Sequence, residues 1–285
     1  MPDRRTLFCA GFGYSAAALA ERLLPENWRV IGTHRNPENE PKLRSAGVEP
    51  VLWSDVERCT ELLSDASHIL VSAAPDAGGD PSLRAMGIAL SSARPDWVGY
   101  LSTTGVYGDR AGGWVDEDSV LTPATKRGKM RVDAEAEWQA TGLPVHIFRL
   151  AGIYGPGRGP FTKVLNGTAR RIVKPNQVFS RIHRDDIAAT LLASINQPRP
   201  GAVYNLCDDL AAPPQDVIGY AAELLGKEAP PLIPIEEAEM SPMAASFYSE
   251  SKRVSNKLIR EELGVELSYP TYREGLAADL AAETQ

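Results

Sequence analysis

The chain has 285 residues, of which 43% are apolar and 24% are charged, and its formal net charge at pH 7 is −7. This composition is ordinary for a folded globular protein, and the length suffices for one large α/β domain or two smaller ones. The acidic balance argues against nucleic acid or an anionic membrane as the main partner. No apolar run approaches the roughly 20 residues that a bilayer-spanning helix needs.

The cysteines and the amino terminus indicate a cellular compartment. Cys9, Cys59 and Cys207 are odd in number and widely spaced, which argues against a disulfide framework. The amino-terminal segment lacks the apolar region and cleavage site of a signal peptide. The four histidines are isolated, so no metal site is expected. We therefore expect a reduced cytoplasmic protein.

The first half of the chain alternates short apolar runs with helical stretches. An Ala-rich helix is predicted over residues 14–24. The runs predict strands over residues 6–11, 28–33, 48–53, 68–74, 97–102 and 143–155. Near-continuous apolar strands separated by helices indicate a parallel sheet covered on both faces. The predicted fold class is α/β, with a Rossmann-type doubly wound parallel sheet.

The second half has a different character, because clusters of proline break it into short pieces. Its patterns predict helices over residues 186–196, 215–225 and 251–263. Residues 1–155 are interpreted as a nucleotide-binding Rossmann domain. Residues 156–285 are interpreted mainly as a small substrate-side cap, with some elements returning to the sheet.

A glycine-rich turn follows the first predicted strand, with the spacing G-x-G-x-x-A. Gly11 permits a tight turn, Gly13 lets the backbone approach a pyrophosphate, and Ala16 keeps the helix close to the sheet. The helix N-terminus offers N–H groups and a positive dipole to the phosphates. The segment therefore predicts a dinucleotide site, to which we assign Gly11, Phe12, Gly13, Tyr14, Ser15 and Ala16.

The second predicted strand ends in the sequence GTHRNP. NAD-preferring folds place an acidic residue there for the ribose diol, whereas an arginine accommodates the 2′-phosphate of NADP. No carboxylate is present, and His34 with Arg35 favours NADP over NAD; simple exposure of both to solvent is the alternative. Asp55 is a candidate for the adenine edge. Small residues after the fourth strand are expected to line the cofactor, namely Ser72, Ala73, Ala74 and Pro75.

Four later motifs occur in a recognisable order: LSTTGVYGD at 101–109, FRLAGIYGPGRGP at 148–160, RIHRDDIAA at 181–189 and AVYNLCDD at 202–209. Together they resemble the extended short-chain dehydrogenase/reductase family, which includes nucleotide-sugar epimerases and dehydratases. The resemblance implies a nicotinamide cofactor and a small-molecule substrate, such as a nucleotide sugar or another anion. It also implies that Ser102 and Thr103 contact the cofactor. Thr103 would hydrogen-bond the substrate oxygen that gains or loses a proton.

The family next carries Tyr-x-x-x-Lys, with a glutamate four residues after the lysine. Anchored on Glu135, the resemblance places Arg131 at the lysine position and Arg127 at the tyrosine position. A rival register uses Lys129 and puts Thr125 at the tyrosine position. Arginine stays protonated and is a poor acid or base, whereas its planar fork suits carboxylate or phosphate. Two interpretations of these catalytic-site candidates stay open: ion pairing along the helix with Glu135 and its neighbours, or binding an anion near the nicotinamide.

Other residues could supply the proton. Tyr107 and Tyr154 are candidate acids, and a water relay through Thr103 is a third route. Tyr154 and Arg158 are assigned to the substrate side, where the arginine would meet a phosphate or carboxylate. Asp186 opens a predicted helix and is interpreted as its N-cap.

Two functional hypotheses follow. The first is an NADP-dependent oxidoreductase or epimerase-like enzyme that acts on a small anionic substrate. The alternative is a non-catalytic NADP-binding protein with a regulatory or redox-sensing role. The resemblance further implies a homodimer through helices that flank the sheet, one of which carries residues 127–138.

Overall fold

The computed structural model describes residues 5–283, apart from the side chain of Met243. Within these residues the helices are α1 (Tyr14–Leu23), α2 (Glu40–Ser45), α3 (Val56–Ser64), α4 (Pro81–Ser92), α5 (Lys126–Gln139), α6 (Phe161–Leu165), α7 (Arg184–Asn196), α8 (Pro214–Leu224), α9 (Pro242–Tyr248), α10 (Lys257–Leu263) and α11 (Tyr272–Glu283). The strands are β1 (Thr6–Ala10), β2 (Arg29–His34), β3 (Glu49–Leu52), β4 (His68–Val71), β5 (Trp97–Thr103), β6 (Trp114–Val115), β7 (Val145–Leu150), β8 (Gly152–Tyr154), β9 (Arg171–Val173), β10 (Arg181–His183), β11 (Val203–Leu206), β12 (Leu232–Pro234) and β13 (Arg253–Val254).

Seven of these strands form a parallel sheet in the order β11-β7-β5-β4-β1-β2-β3. The predicted α/β class and Rossmann-type sheet are therefore confirmed. Strand β1 lies between β2 and β4, so the strand order reverses beside it. In doubly wound sheets, ligands bind outside the carboxyl ends of the strands at this switch point.

The sequence forms this sheet because its strands are apolar along their whole length. Every residue of β1 and of β4 is buried. Their side chains share one core with α3, α4 and α5, which includes Phe8, Ile69, Met86 and Trp138. Burial on both faces explains why these strands read as continuous apolar runs instead of alternating ones.

The predicted strand over 143–155 is divided in the structure. Its first part is β7 in the sheet, and its second part, β8, pairs in parallel with β10. The division falls at neighbouring amides: the N–H of Ala151 donates to Leu206, whereas the N–H of Gly152 donates to Ser180. The chain therefore changes its pairing partner within one residue.

The chain divides into two compact units. The sheet unit contains the residues up to Thr103 together with Lys129–Arg149 and Ile187–Tyr204, and the second unit contains Thr104–Gly128, Leu150–Asp186 and the residues from Asn205 onward. The second unit has short parallel strand pairs, β8 with β10, β9 with β12 and β6 with β13. The single domain boundary near residue 155 stays a prediction.

The helix predicted over residues 251–263 is wrong in its first part. Arg253 and Val254 form β13, and α10 begins only at Lys257. The backbone of this segment pairs with β6 and the residue before it: the N–H of Arg253 donates to the Gly113 carbonyl, and the N–H of Ser255 donates to the Val115 carbonyl. Strand pairing thus overrides the helical pattern of this segment.

None of the helices in the described range 5–283 has the length and apolar character required to cross a membrane.

Candidate functional site

The turn between β1 and α1 is shaped by Gly11. Its φ of +90° lies in the left-handed region that favours glycine. Its N–H donates to Thr33 Oγ1 at 2.6 Å. A Cβ built at this position would stand 2.9 Å from the backbone nitrogen of Ala73. This conformation is the tight turn that the motif predicts, and the neighbouring strand leaves no space for a side chain.

Gly13 is glycine for a different reason. It is the N-cap residue of α1, with a φ of −111° that any residue could adopt. A Cβ built there would meet no atom within 4 Å. The space beside the first N–H groups of α1 is thus open, while Ala16 in the first turn is completely buried against the core. Such a helix terminus can accept an anion.

Phe12 is held on β2. Its N–H donates to the Thr33 carbonyl at 2.9 Å, and its ring packs over Gly32, where an added Cβ would lie 2.8 Å from the ring. Sequence reasoning missed the supporting roles of Gly32 and Thr33. The available signal was a glycine inside an apolar strand, which marks a close approach of another group.

The residues after β4 lie against the glycine turn. The N–H groups of Ser72 and Ala73 both donate to the Ala10 carbonyl at 3.0 Å, and the Ser72 hydroxyl donates to the Gly11 carbonyl. Ala74 is exposed and Pro75 is buried. The structure therefore brings the first and fourth strand ends together, as expected for two segments that line one ligand.

The residues after β2 differ in exposure. His34 is buried, and its Nδ1 lies 2.9 Å from the Asn36 carbonyl. Arg35 is exposed. Asp55 is exposed and caps α3, because its carboxylate accepts the N–H of Arg58 at 3.1 Å. Both Arg35 and the free edge of Asp55 are accessible to a ligand in solution.

A buried polar cluster joins α5 to β5 and β7. The Ser102 hydroxyl donates to the Glu135 carboxylate. The same carboxylate forms an ion pair with Arg149, whose Nη2 donates to Oε2 at 2.8 Å. Both charged side chains are almost completely buried. Sequence reasoning used Glu135 only as an alignment anchor, because nothing in the sequence pairs it with Arg149.

Arg131 and Arg127 have different environments on α5. Nη1 of Arg131 donates to the Leu101 carbonyl and lies 3.4 Å from the Tyr100 hydroxyl. The Arg127 side chain is exposed and makes no hydrogen bond or ion pair with the residues that the structure describes. The proposed ion pairing with Glu135 is wrong, because that carboxylate is taken by Arg149.

Tyr107, the first candidate proton donor, is completely buried in the second unit. Its hydroxyl donates to Asn205 Oδ1 at 2.7 Å, and the N–H of Asn205 donates to Glu117 at 2.7 Å. Asn205 of the AVYNLCDD motif thus supports Tyr107 of the LSTTGVYGD motif. The hydroxyl is already engaged in a buried bond.

Tyr154, the second candidate, is also buried. Its hydroxyl donates to the Thr271 carbonyl at 3.3 Å, and its ring fills the space that a Cβ on Gly275 would occupy. Burial raises the pKa of Tyr154 well above the ordinary value, and the charge of Asp208 raises it further. A phenol with a raised pKa is a weaker acid near neutral pH.

Arg158 lies at the tip of the glycine-rich turn after β8. It is exposed, and the turn is closed by reciprocal backbone hydrogen bonds between Gly155 and Arg158, at 3.2 and 2.8 Å. The guanidinium is therefore carried on a short, closed turn at the surface of the second unit.

The second unit contains a buried carboxyl that sequence reasoning missed. Burial raises the pKa of Asp208 to about 8, although the charge of Arg181 acts in the opposite direction. The Arg181 guanidinium is itself occupied, donating to the carbonyls of Phe179 and Ala212 at 2.9 and 3.0 Å. Asp208 Oδ1 accepts the N–H of Leu210.

The predicted N-cap at Asp186 needs correction. Helix α7 begins two residues earlier, at Arg184. The two carboxylate oxygens of Asp186 accept the N–H groups of Ser268 and Tyr269, at 2.7 and 3.1 Å. The motif is structural, but it fixes a distant loop through its side chain. In residues 5–283, no group of three or more His, Cys, Asp or Glu side chains is arranged to hold a metal ion.

No family profile matches the chain. The chain is 55% identical to a conserved protein of unknown function from Silicibacter pomeroyi, with a TM-score of 0.93 over 99% of this chain and 100% of that one. Protein YeeZ of Escherichia coli (strain K12) is 29% identical over 275 residues, which cover 91% of this chain and 94% of the relative. A candidate NAD-dependent epimerase/dehydratase from Methylobacillus flagellatus is 27% identical, with a TM-score of 0.73 and 99% of each chain covered. Structural neighbours of this chain are members of the extended short-chain dehydrogenase/reductase superfamily.

Further structural neighbours from this superfamily, at lower identity, share the fold of this chain. The dTDP-glucose 4,6-dehydratase of Bacillus anthracis, in complex with NAD, is 18% identical and has a TM-score of 0.78 over 99% of this chain and 96% of that one. MoeE5, in complex with UDP-glucose and NAD, is 20% identical and has a TM-score of 0.76 over 99% of this chain and 100% of that one. The fold that the order of the motifs implies is therefore confirmed.

Proposed function

We propose that this chain is a nicotinamide-dependent oxidoreductase or epimerase-like enzyme that holds its cofactor at the turn from Gly11 to Ala16. The open space beside Gly13, at the N-terminus of α1, carries this proposal. The first N–H groups of α1 would bind the pyrophosphate, and Ala73 and Ala74 would line the nicotinamide side. When bound, the nicotinamide supplies a donor or acceptor of hydride.

The local structure supports the fit of a dinucleotide. Gly11 holds the turn by its positive φ, so the glycine is needed even without a ligand. Gly13 has no such need, because its φ is ordinary and no protein atom crowds it. A glycine that packing does not require is explained by a ligand that approaches the backbone closely.

We propose NADP as the preferred cofactor, with NAD as the second choice. The exposed guanidinium of Arg35 follows the end of β2 directly, and His34 offers a polar neighbour. No carboxylate occupies the position from which a ribose diol is recognised. Arginine can bind a phosphate through two parallel N–H bonds, and this favours the 2′-phosphate.

Charge reversal at Arg35 tests this preference. Titration calorimetry with NADPH and NADH should show that Arg35→Asp reverses the ratio of the two affinities. Lys227→Asp is the matched control, because this exposed residue of the second unit undergoes the same change of charge. An unchanged affinity ratio in Arg35→Asp would contradict the NADP assignment.

We propose a small anionic substrate, with a nucleotide sugar as the first class to test. Arg127 and Arg158 are exposed guanidinium groups in the second unit that could bind phosphate or carboxylate. Thr103 would donate or accept a hydrogen bond at the substrate oxygen, with a water relay as the route for the proton. NADP-linked turnover of UDP- and dTDP-sugars should fall strongly in Thr103→Ala; turnover unaffected by this change would contradict the role.

A second function, non-catalytic sensing of NADP, is favoured by one group of observations. The alignment on Glu135 leaves arginines where the family has its tyrosine and lysine. The hydroxyls of Tyr107 and Tyr154 are buried and engaged. Tight NADPH binding without oxidation of the cofactor across a panel of carbonyl compounds and nucleotide sugars would support this function over the enzyme.

We also propose that the protein is a reduced cytoplasmic homodimer. Its thiols are buried and unpaired, and burial raises the pKa of Cys59 to about 11. The dimer would form through helices flanking the sheet, including α5. Sedimentation equilibrium tests this assignment, and a monomer at micromolar concentration would contradict it.

A further inference from the structure

The Arg131 side chain is directed at the end of strand β5. Its Nη1 donates to the main-chain carbonyl of Leu101. The guanidinium carbon lies 5.7 Å from the centre of the Tyr100 ring, and Nη1 lies 3.4 Å from the Tyr100 hydroxyl. A hydrogen bond from a charged donor is stronger than a neutral one, and a guanidinium near an aromatic ring gains further attraction.

The next turn of α5 makes a second contact with the same strand end. Glu135 accepts the hydroxyl of Ser102, and Arg149 holds its carboxylate in place. Residues four apart lie on one face of a helix. Two neighbouring residues of this face therefore fix two consecutive residues of β5, Leu101 and Ser102, and the strand ends at the next residue, Thr103.

We infer that Arg131 is a positioning residue, which holds the carboxyl end of β5 and Thr103 at the place where the nicotinamide half of the cofactor is bound. This inference rests on the proposed function, because it assigns the strand end to that half of the ligand. Arginine suits the task better than the lysine of the family. Its planar group can reach the Leu101 carbonyl while it lies over the Tyr100 ring, whereas an ammonium is a compact, strongly hydrated charge.

Hydrogen exchange in the absence of any cofactor tests the contact itself. In Arg131→Met, amides in a peptide covering residues 97–107 should exchange about tenfold faster, because the end of β5 opens locally. A peptide covering β1 and β2 should be unchanged. Asp133→Asn is the matched control, since this exposed residue lies on the same helix. Unchanged exchange in residues 97–107 of Arg131→Met would overturn the inference.

Two ligands then separate positioning from a general loss of structure. Arg131→Met should bind NADPH about tenfold more weakly, which corresponds to one lost charged hydrogen bond. Its affinity for adenosine 2′,5′-bisphosphate, which has only the adenine half, should stay within about twofold. Arg131→Lys should retain part of the NADPH affinity. Equal weakening of both ligands, or weakening of neither, would overturn the inference.

The same measurements distinguish failure of the inference from failure of the proposed function. If the unaltered protein binds neither ligand, the proposed function fails. The hydrogen-exchange experiment then still tests whether Arg131 stabilises the end of β5. If NADPH binds and exchange at residues 97–107 is unaffected by Arg131→Met, the inference alone fails.

Discussion

The glycine turn after β1 and the end of β5 lie in the same sheet unit but depend on different kinds of interaction. The turn depends on the absence of side chains: Gly11 adopts a positive φ, and Gly13 leaves its helix terminus open. The end of β5 depends on charged side chains, Arg131, Glu135 and Arg149, which reach across from α5 and β7. A turn that depends on backbone conformation accepts few residue types. A structure that depends on a charge pair can retain its stability when both partners are replaced together.

The largest expected effect comes from removing a charged side chain at the end of β5. Glu135→Gln should lower the free energy of unfolding by about 3–5 kcal/mol, because it removes the negative charge that faces the buried Arg149 guanidinium. Urea unfolding measures the change. The double variant Glu135→Gln/Arg149→Met should recover much of the loss, since apolar replacement of both partners removes the buried charge.

Asp133→Asn on the same helix serves as the control and should stay within about 0.5 kcal/mol of the unaltered protein. A loss below about 1 kcal/mol in Glu135→Gln would show that the buried pair does not support the strand end in the way described.

The next effect concerns the glycine turn after β1. Gly11→Ala should lower the free energy of unfolding by about 1–3 kcal/mol, because a residue with a Cβ is strained at this φ and because Ala73 is too close. Gly13→Ala has open space and should cost less than about 1 kcal/mol. Denaturant unfolding of the two variants measures the difference; equal losses would contradict the separate reasons given for the two glycines.

A third effect concerns the pH dependence of the second unit. Burial raises the folded pKa of Asp208 to about 8, so the folded state holds a proton that the unfolded state has lost above pH ~4. This contribution is present in full at low pH and is lost as the pH rises through about 8. Between pH 6 and 8 the free energy of unfolding should fall by up to about 1.4 kcal/mol per pH unit.

Asp208→Asn keeps an acceptor for the N–H of Leu210 and removes the titration. Its stability curve from pH 6 to 8 should be flatter than that of the unaltered protein, as measured by thermal unfolding at matched ionic strength. Parallel curves for the two proteins would contradict the raised pKa of Asp208.

The smallest expected effect is at Tyr154. Tyr154→Phe removes one hydrogen bond to the Thr271 carbonyl and should cost about 0.5–1.5 kcal/mol of stability. If NADP-linked turnover is found, it should continue in this variant, because the phenol is a weak acid in its buried position. Complete loss of turnover with retained stability would instead assign the proton to Tyr154.

The fold was predictable because its signals are local. Apolar runs gave the strands β1 to β5, and the G-x-G-x-x-A spacing gave the turn and the helix α1. The division of residues 143–155 and the start of β13 could not be predicted in this way. Both depend on strand partners, Ser180 and Gly113, that are remote in the sequence.

The candidate site was predictable to a smaller degree. The positive φ at Gly11 follows from the motif, but the pairing of Glu135 with Arg149 and the contact of Arg131 with Leu101 do not. Each of these joins elements whose approach is set by the packing of α5 on the sheet. The environments of Tyr107 and Tyr154 were likewise hidden, because burial and hydrogen bonding are properties of the folded chain.

Titration with NADPH of the unaltered protein and of the Gly13→Val variant tests the central claim most directly. We predict saturable binding of one NADPH per chain by the unaltered protein. In Gly13→Val we predict loss of that binding with little change in thermal stability, because the new side chain would enter the open space beside the N-terminus of α1. Absence of NADPH and NADH binding in the unaltered protein, or equal affinity in the variant, would contradict a cofactor site at this turn.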